Sequence, residues 1–190
     1  MFFAESRWVI DALEPITARL RSAIDVGARN GRYRGRAQNR SVHDFLRARN
    51  VRLTTLDADA KASCDVRADL TDARTVPAWI TTFDLVLCTS VLEHVTDVHT
   101  AAATLRRLTA AGGYLLITVP RSYPPHRSPI DTGYRPTNRD IESLFSDLAV
   151  VHSEIIRPPR DKWFHWLIFP AGVSVPRVSC VLLRKVSIVS

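Results

Sequence analysis

The sequence predicts an α/β fold: a doubly wound, mostly parallel seven-stranded sheet with helices on both faces and an antiparallel last strand. Five alternations of strand and helix patterns, followed by two final strands, favour this architecture. Residues 83–88 form a nearly continuous apolar run, which is typical of a central strand covered on both faces. Because the chain of 190 residues shows no internal repeat or linker, we expect residues 1–190 to form a single domain.

The chain begins with a helix pattern. Val9, Leu13, Ile16 and Leu20 fall on one face at helical spacing. Pro15 predicts an interruption or a restart of this helix, because proline is tolerated only in the first turn. The helix is expected to lead directly into the first strand.

A glycine-bearing turn follows that first strand. Residues 23–26 are an apolar run that contains Asp25, and Gly27 and Gly31 come after it. Glycines allow a tight turn whose backbone N–H groups are free to face a ligand. The Gly-x-Gly-x-x-Gly pattern of pyrophosphate sites is absent. The turn therefore predicts a nucleotide-type site with no pyrophosphate motif, and a ligand without phosphate is the alternative that the later segments must decide.

The segments after the glycine turn predict a second helix and two strands. Ser41 and Asp44, three residues apart, give a capping-box-like start for the helix. Residues 51–56 alternate and carry β-formers, so they predict the second strand, and Asp57 directly follows it. Residues 63–66 fit a short third strand.

The centre of the chain contains the third helix and the fifth strand. An apolar stripe over residues 101–108 predicts the helix, which Gly112 and Gly113 are expected to cap at its C-terminus. Residues 114–119 predict the strand, and Pro120 is expected to stop it.

A proline-rich loop separates the fifth strand from the last elements. Residues 121–136 hold four prolines, and loops of this length in compact domains are usually functional. Thr137 and Asp140 give a second capping-box-like helix start. Residues 148–156 and 178–189 predict the two final strands.

The net charge of +7 comes almost wholly from arginine. Residues 29–52 hold eight arginines against a single acid, Asp44. Such a patch fits nucleic acid or an anionic substrate. Only Tyr33 and Phe45 interleave with the arginines as stacking platforms would, so a solvated face is the favoured interpretation.

Cysteine usage and hydropathy indicate the compartment. Cys64, Cys88 and Cys180 form no Cys-x-x-Cys motif, and their odd number favours reduced thiols. The N-terminus shows no signal peptide, and the most apolar window, residues 163–175, is too short and too interrupted for a membrane span. We therefore expect a cytoplasmic protein with no membrane span.

Six stretches occur in a set order along the chain: AIDVGARNGRY, LTTLDADA, VRADL, FDLVLCTSVLEHV, AAGGYLLITVP and IDTGYRPTNRDIESLF. This set resembles class I S-adenosylmethionine-dependent methyltransferases, especially the small branch with a Leu-Glu-His motif after the fourth strand. The resemblance extends over residues 22–148. It implies a Rossmann-like methyltransferase fold and S-adenosylmethionine as the cofactor, with S-adenosylhomocysteine as its product.

The resemblance also implies which residues bind that cofactor. Asp57 would accept hydrogen bonds from both ribose hydroxyls, because the two oxygens of a carboxylate act only as acceptors. Asp69 would receive the adenine amino group, and Leu70 would offer a backbone N–H to the ring. Thr89 and Ser90 would face the sulfonium end. The full implied set is Asp25, Gly27, Ala28, Gly31, Asp57, Ala58, Asp69, Leu70, Thr89 and Ser90.

Alternatives stay open at several of these positions. Arg29 stands where the family usually has the middle glycine of the turn. Asp59 competes with Asp57 for the ribose role. Asp25 could instead satisfy amides of the turn, and Asp69 could cap a helix that starts near residue 71.

Methyl transfer from a sulfonium is an in-line displacement that depends mainly on alignment, so a general base is optional. If a proton must leave, the candidates are His126, His94, Tyr134, Tyr123 and Asp131. His126 comes first because it lies in the proline-rich loop and histidine titrates near neutral pH; a solvent-facing histidine is the alternative. His94 is favoured as a residue packed behind the pocket. No metal is expected, because Glu93 and His94 lack metal-ligand spacing.

The sequence thus predicts methyl transfer to an O, N or C atom of a small molecule by a monomer or homodimer. In the same loop, Arg127 and Arg135 could clamp an acidic acceptor. One alternative is an RNA or protein methyltransferase that uses the arginines of residues 29–52, with nucleic acid the less favoured partner. Another is a non-methylating subunit that binds S-adenosylmethionine.

Overall fold

A computed structural model describes residues 3–28, 37–123, 130–157 and 176–186. Within these ranges the strands form one seven-stranded sheet in the order β3-β2-β1-β4-β5-β7-β6. The strands are β1 (Ser22–Val26), β2 (Arg52–Asp57), β3 (Val66–Arg67), β4 (Phe83–Thr89), β5 (Thr109–Ser122), β6 (Ala149–Ile156) and β7 (Arg177–Arg184). The helices are α1 (Phe3–Leu13), α2 (Ala37–Arg47), α3 (Val98–Leu108) and α4 (Asn138–Leu144), with 3-10 turns at Glu14–Arg19, Ala73–Thr75 and Leu92–His94.

The pairing of the strands confirms the predicted fold class. β3, β2, β1, β4 and β5 pair in parallel, and β7 runs antiparallel to both β5 and β6. The strand order reverses at β1, which pairs with β2 on one side and with β4 on the other. In open α/β sheets the crevice for a ligand lies at the carboxyl ends of the strands beside such a switch point.

Two hydrophobic cores cover the two faces of the sheet. On β4 the side chains of Val86 and Cys88 belong to one core and those of Leu85 and Leu87 to the other, as alternation along a strand requires. One core includes residues of α3 and α4, and the other includes residues of α1 and α2. Burying each large apolar side chain stabilises the fold by roughly 1.5–3 kcal/mol. Helices therefore flank both faces, as predicted.

The N-terminal helix is interrupted where the sequence predicts. α1 ends at Leu13, and the 3-10 turn Glu14–Arg19 carries Pro15 in its first positions. Proline fits there because those N–H groups have no helical acceptor.

The predicted start of the second helix at Ser41 is wrong. α2 already begins at Ala37, so Ser41 lies inside the helix. The buried Val42 and Leu46 anchor α2 on the core. Once a helix has nucleated, each further residue adds a hydrogen bond at little cost in free energy. The helix therefore extends on the N-terminal side past Ser41, where the capping-box-like pattern predicted its start.

The predicted cap at Gly112 and Gly113 is also wrong, since α3 ends at Leu108 and both glycines lie inside β5. A Cβ on Gly113 would lie 3.1 Å from the carbonyl oxygens of Phe83 and Asp84. A Cβ would also lie 3.0 Å from the carbonyl oxygen of Ala110, so glycine is favoured here by the close approach of neighbouring backbone, not by a helix end.

Pro120 does not stop the fifth strand, as β5 continues to Ser122 and Pro120 opposes Val178 of β7. The last pair between β4 and β5 is Thr89 with Thr118, so the proline lies past the end of β4. A missing N–H donor is tolerated at such a position.

The capping box at the start of α4 is confirmed. The Thr137 hydroxyl accepts from Asp140 N at 3.2 Å, and the Asp140 carboxylate accepts from Thr137 N at 2.7 Å. The described ranges contain no helix long and apolar enough to cross a membrane. Residues 163–169, which include the aromatic side chains, and four of the eight arginines of residues 29–52 lie outside the described residues.

Candidate functional site

Several of the residues that the sequence singles out lie at the carboxyl ends of the central strands. Asp25 lies near the end of β1, Asp57 ends β2, and Thr89 ends β4. β1 lies between β2 and β4, with Val26 level with Leu56 and Cys88. The parallel register thus brings the three residues to one edge of the sheet, beside the switch point.

The turn after β1 is built around Gly27, whose φ is +73°. A Cβ at this position would lie 2.4 Å from Cγ2 of Val91, so only glycine fits without a shift of that side chain. Gly27 N and Ala28 N donate to the carbonyl oxygen of Leu56 at 2.7 and 3.2 Å. The expectation that the turn's N–H groups are free is therefore wrong for these two, because β2 accepts both. Arg29 and Gly31 lie outside the described residues.

Asp25 has a buried partner that the sequence reasoning missed. Nε2 of His43, on α2, lies 2.7 Å from Oδ2 of Asp25, and both side chains are buried. Burial raises the pKa of Asp25, and the hydrogen bond and charge of His43 oppose that rise. A signal was present in the sequence, because His43 lies three residues before the apolar Leu46 on the same helix face.

Asp57 is buried at the end of β2. Its Oδ1 accepts from Asp59 N at 2.8 Å, while no donor among the described residues bonds Oδ2. Asp59 serves the local turn, because its own Oδ1 accepts from Lys61 N at 2.9 Å. Ala58, between the two acids, is exposed. Asp57 thus combines a fixed orientation with an unused acceptor oxygen.

Asp69 does not cap a helix, because the 3-10 turn Ala73–Thr75 is capped by Asp72, whose side chain accepts from Arg74 N. Asp69 instead holds a local turn. Its Oδ1 accepts from both the backbone N and the hydroxyl of Thr71 at 2.8 Å, while the carboxylate itself is exposed. Leu70 buries its side chain, and its carbonyl oxygen accepts from the Thr104 hydroxyl at 2.9 Å. A contact with a ligand is left to Oδ2 of Asp69 and to the backbone N–H of Leu70.

Beyond β4, a buried acid of α1 reaches the sheet edge. The Ser90 hydroxyl donates to Oε1 of Glu5 at 3.2 Å, and the Thr118 hydroxyl donates to the same oxygen. Ser90 has a φ of +53°, an unusual value for serine that turns the chain directly after the strand. Glu5 is fully buried. Its signal in the sequence is its place four residues before Val9, on the apolar face of the first helix.

The Leu-Glu-His segment forms the 3-10 turn Leu92–His94. Nδ1 of His94 lies 2.8 Å from the carbonyl oxygen of Ile130, and the carbonyl oxygen of Glu93 accepts from Thr132 N at 2.9 Å. The turn is thereby tied to the C-terminal part of the proline-rich loop. Burial raises the pKa of the Glu93 carboxyl to about 8.

The remaining candidates lie within that loop. Tyr134 packs against the core beside α3 and α4, and burial raises its pKa. Arg135 holds Asp131 at 2.6 Å, so the predicted clamp for an acidic acceptor is already engaged inside the protein. His126 and Arg127 lie outside the described residues. In the ranges that are described, no group of three His, Cys, Asp or Glu side chains is arranged to hold a metal ion.

Comparison with known proteins identifies the family. The model of a methyltransferase domain family matches residues 5–166, so the chain belongs to that family. The predicted class, a class I S-adenosylmethionine-dependent methyltransferase, is confirmed. The assignment to the branch with the Leu-Glu-His motif stays a prediction. No curated protein sequence matches the chain.

Solved structures share the fold at low sequence identity. TehB from Haemophilus influenzae is 15% identical with a TM-score of 0.63; the match covers 94% of this chain but only 62% of TehB. The N-methyltransferase NodS from Bradyrhizobium japonicum WM9 is 16% identical, with coverage of 95% and 96% and a TM-score of 0.61. A third structure is 1,6-didemethyltoxoflavin-N1-methyltransferase from Burkholderia thailandensis, solved with 1,6-didemethyltoxoflavin and S-adenosylhomocysteine. It is 20% identical, with coverage of 97% and 84% and a TM-score of 0.57.

Proposed function

We propose that this methyltransferase moves the methyl group of S-adenosylmethionine to an O, N or C atom of a small molecule by in-line displacement. The observation that carries the proposal is Asp57, a buried carboxylate at the switch point with one oxygen fixed by Asp59 N and the other available as an acceptor. In the displacement the acceptor's electron pair forms the new bond to carbon, and the carbon–sulfur bond breaks toward sulfur.

The described residues fit this cofactor. Asp57 would hold the ribose hydroxyls, since a carboxylate oxygen free of other partners accepts such hydrogen bonds well. Asp69 and the N–H of Leu70 would hold the adenine, and Thr89 with Ser90 would face the sulfonium end. When bound, the cofactor supplies the electrophilic methyl group. The chain's own part is to orient the reactants and to exclude water.

A small acceptor is supported by one of the structural neighbours, because the Burkholderia enzyme was solved with 1,6-didemethyltoxoflavin. NodS is named an N-methyltransferase, which supports a nitrogen atom among the possible acceptors. Two of the described arginines of the patch have internal partners, because Arg49 pairs with Glu14 at 2.9 Å and Arg47 lies 3.7 Å from Asp44. Those arginines fit a solvated face better than a nucleic-acid surface.

Proton removal from the acceptor would require a base near the same edge of the sheet. Nδ1 of His94 faces a carbonyl oxygen, so Nε2 is the nitrogen that could accept a proton. Tyr134 is disfavoured as a base, because its raised pKa keeps the phenol protonated. His126 stays a predicted candidate.

The proposal is tested in two steps. Isothermal titration calorimetry first measures the binding of S-adenosylmethionine and S-adenosylhomocysteine to the purified chain. Formation of S-adenosylhomocysteine is then measured with a panel of small alcohols, amines and heterocycles, and in parallel with RNA and a protein lysate. We expect cofactor binding and turnover with a small molecule. Turnover with RNA or protein alone would refute the small-molecule assignment, and cofactor binding without any turnover would favour the non-methylating subunit.

A further inference from the structure

The carboxyl group of Glu93 has an unsatisfied oxygen inside the protein. Glu93 is 2% exposed, and in the described structure its Oε2 has no hydrogen-bond partner. The other oxygen, Oε1, lies 3.8 Å from Nε2 of His94, beyond hydrogen-bond distance. The carboxyl group also accepts a hydrogen bond from the backbone N–H of Glu93 itself, which opposes the rise in its pKa but leaves Oε2 without a partner. Buried polar atoms nearly always have partners, so a bare carboxylate oxygen at this depth requires a specific explanation.

The surroundings of Glu93 hold a second acid and two cations, the N-terminal ammonium group and Arg135, which act on it electrostatically but do not offset burial, because the pKa of Glu93 is still raised to about 8. Glu5 is fully buried and accepts from the hydroxyls of Ser90 and Thr118, and its charge adds to the effect of burial in raising the pKa of Glu93. Arg135 acts on Glu93 electrostatically, but its guanidinium is bound to Asp131 at 2.6 Å. Two neighbouring buried carboxyls with hydroxyls beside them favour a ligand that brings positive charge and N–H donors.

The position of this pair coincides with the site of the proposed reaction. Ser90 directly follows β4, and Glu93 lies three residues further along, in the turn held by Thr132. Glu5 reaches the same edge from α1. Both acids therefore lie next to the residues assigned to the sulfonium end of the cofactor. That assignment belongs to the proposed function, on which this inference rests.

We propose that Glu93, with Glu5 beside it, binds the protonated amino group of the methyl acceptor, so that the substrates of this enzyme are small-molecule amines. The ammonium N–H groups fill the acceptor position that Oε2 of Glu93 leaves open. A neutral hydroxyl has one donor and no charge, so it compensates the buried acids less well.

The same carboxyl gives the amine proton a destination. Near neutral pH the buried Glu93 is largely protonated, and the arriving ammonium ion favours its ionised form, so binding releases a proton to solvent. Before methyl transfer the ammonium nitrogen gives one proton to the Glu93 carboxylate. Its freed electron pair then forms the bond to the methyl carbon, and the carbon–sulfur bond breaks toward sulfur. The products are the methylated ammonium ion, the thioether and a neutral Glu93, which balances charge and protons.

Calorimetry with matched amine and alcohol probes tests this assignment. The wild-type chain, saturated with S-adenosylhomocysteine at pH 7, is titrated with three pairs: ethanolamine and ethylene glycol, phenethylamine and 2-phenylethanol, tryptamine and tryptophol. We expect at least one amine to bind 10-fold or more tightly than its alcohol. Its binding heat should differ between phosphate and Tris buffers, because a proton is released. Equal affinities in every pair, or no binding of any amine, would overturn the proposal.

Two isosteric variants and a control assign the effect to the buried acids. Glu93→Gln should lose the amine preference and the buffer dependence while still binding S-adenosylhomocysteine. Glu5→Gln keeps an oxygen for Ser90 and Thr118 and should weaken amine binding several-fold. Glu14→Gln, at an exposed acid paired with Arg49, should change neither. If Glu93→Gln does not fold, the Glu5→Gln result decides. Failure of S-adenosylhomocysteine to bind the wild type would refute the proposed function itself, whereas its binding without an amine preference refutes only this inference.

Discussion

Nε2 of His43 lies 2.7 Å from Oδ2 of Asp25, and this buried contact joins α2 to the end of β1 just before the glycine turn. The two residues are 18 positions apart in the chain. The residues between them include the glycine turn, so the pair fixes one end of the turn against the helix that follows it. Asp25 thus has a structural partner as well as its predicted place beside the cofactor.

His43→Ala should destabilise the protein strongly. Removing one partner leaves the buried Asp25 carboxylate uncompensated, which typically costs roughly 3–5 kcal/mol. Urea denaturation followed by circular dichroism measures the change in the free energy of unfolding. His99→Ala, on the exposed start of α3, is the matched control and should shift that free energy by less than about 0.5 kcal/mol. Equal stability of the two variants would show that the buried pair contributes nothing.

Asp57→Ala should weaken the binding of S-adenosylmethionine, whereas Asp59→Ala should have a much smaller effect. Hydrogen bonds to a charged acceptor contribute roughly 1.5–3 kcal/mol, so we expect a 10- to 100-fold increase in Kd for Asp57→Ala. Asp59 uses its carboxylate on Lys61 N and lies outside β2. Isothermal titration calorimetry gives both constants. If Asp59→Ala has the larger effect, the ribose role belongs to Asp59 instead.

The sequence predicts the strands and their carboxyl ends well because those signals are local. An apolar run such as residues 83–88 marks a strand whatever packs on it, and Asp57 follows from the strand that ends there. The Glu5 contact could not be predicted in this way. Glu5 and Ser90 are 85 residues apart, and they meet only because α1 packs across the carboxyl ends of β4 and β5.

The Gly112 and Gly113 pair shows a second limit of local patterns. A glycine pair after an apolar helix stripe is the usual signal of a helix end. Here Gly113 is favoured because the carbonyl groups of Phe83 and Asp84 approach it from the neighbouring strand. Both roles favour a residue without a Cβ, so only the pairing of β4 with β5 distinguishes them.

Gly27→Ala should destabilise the protein more than Gly133→Ala does. Both glycines have positive φ values, +73° and +77°, so both substitutions incur the strain of a left-handed residue, roughly 1–2 kcal/mol. Only the Cβ at position 27 also meets Val91, at 2.4 Å, whereas nothing lies within 4 Å of a Cβ at position 133. The melting temperature of each variant measures the difference.

The double variant Gly27→Ala/Val91→Ala separates crowding from strain. Shortening Val91 removes the clashing methyl group but leaves φ unchanged. Relative to Val91→Ala alone, the added alanine should then cost about as much as Gly133→Ala does. If Gly27→Ala destabilises the Val91→Ala variant as much as it destabilises the wild type, crowding against Val91 is not the cause of the destabilisation.

Glu93→Gln should change how stability depends on pH. The pKa of Glu93 is about 8 in the folded protein against an ordinary value of 4.5, so between these values the folded state keeps a proton that the unfolded state has lost. The favourable contribution of this group is therefore fully present below about pH 4.5 and is lost as the pH rises through 8. Each pH unit in that window costs the wild type about 1.4 kcal/mol. Glutamine does not titrate, so from pH 5 to pH 8 the variant should gain roughly 3–4 kcal/mol of unfolding free energy relative to the wild type.

Urea unfolding at several pH values measures this gain. For the control Glu14→Gln, the plot of unfolding free energy against pH should run parallel to that of the wild type. A parallel plot for Glu93→Gln as well would mean that the Glu93 carboxyl is not held protonated in the folded protein.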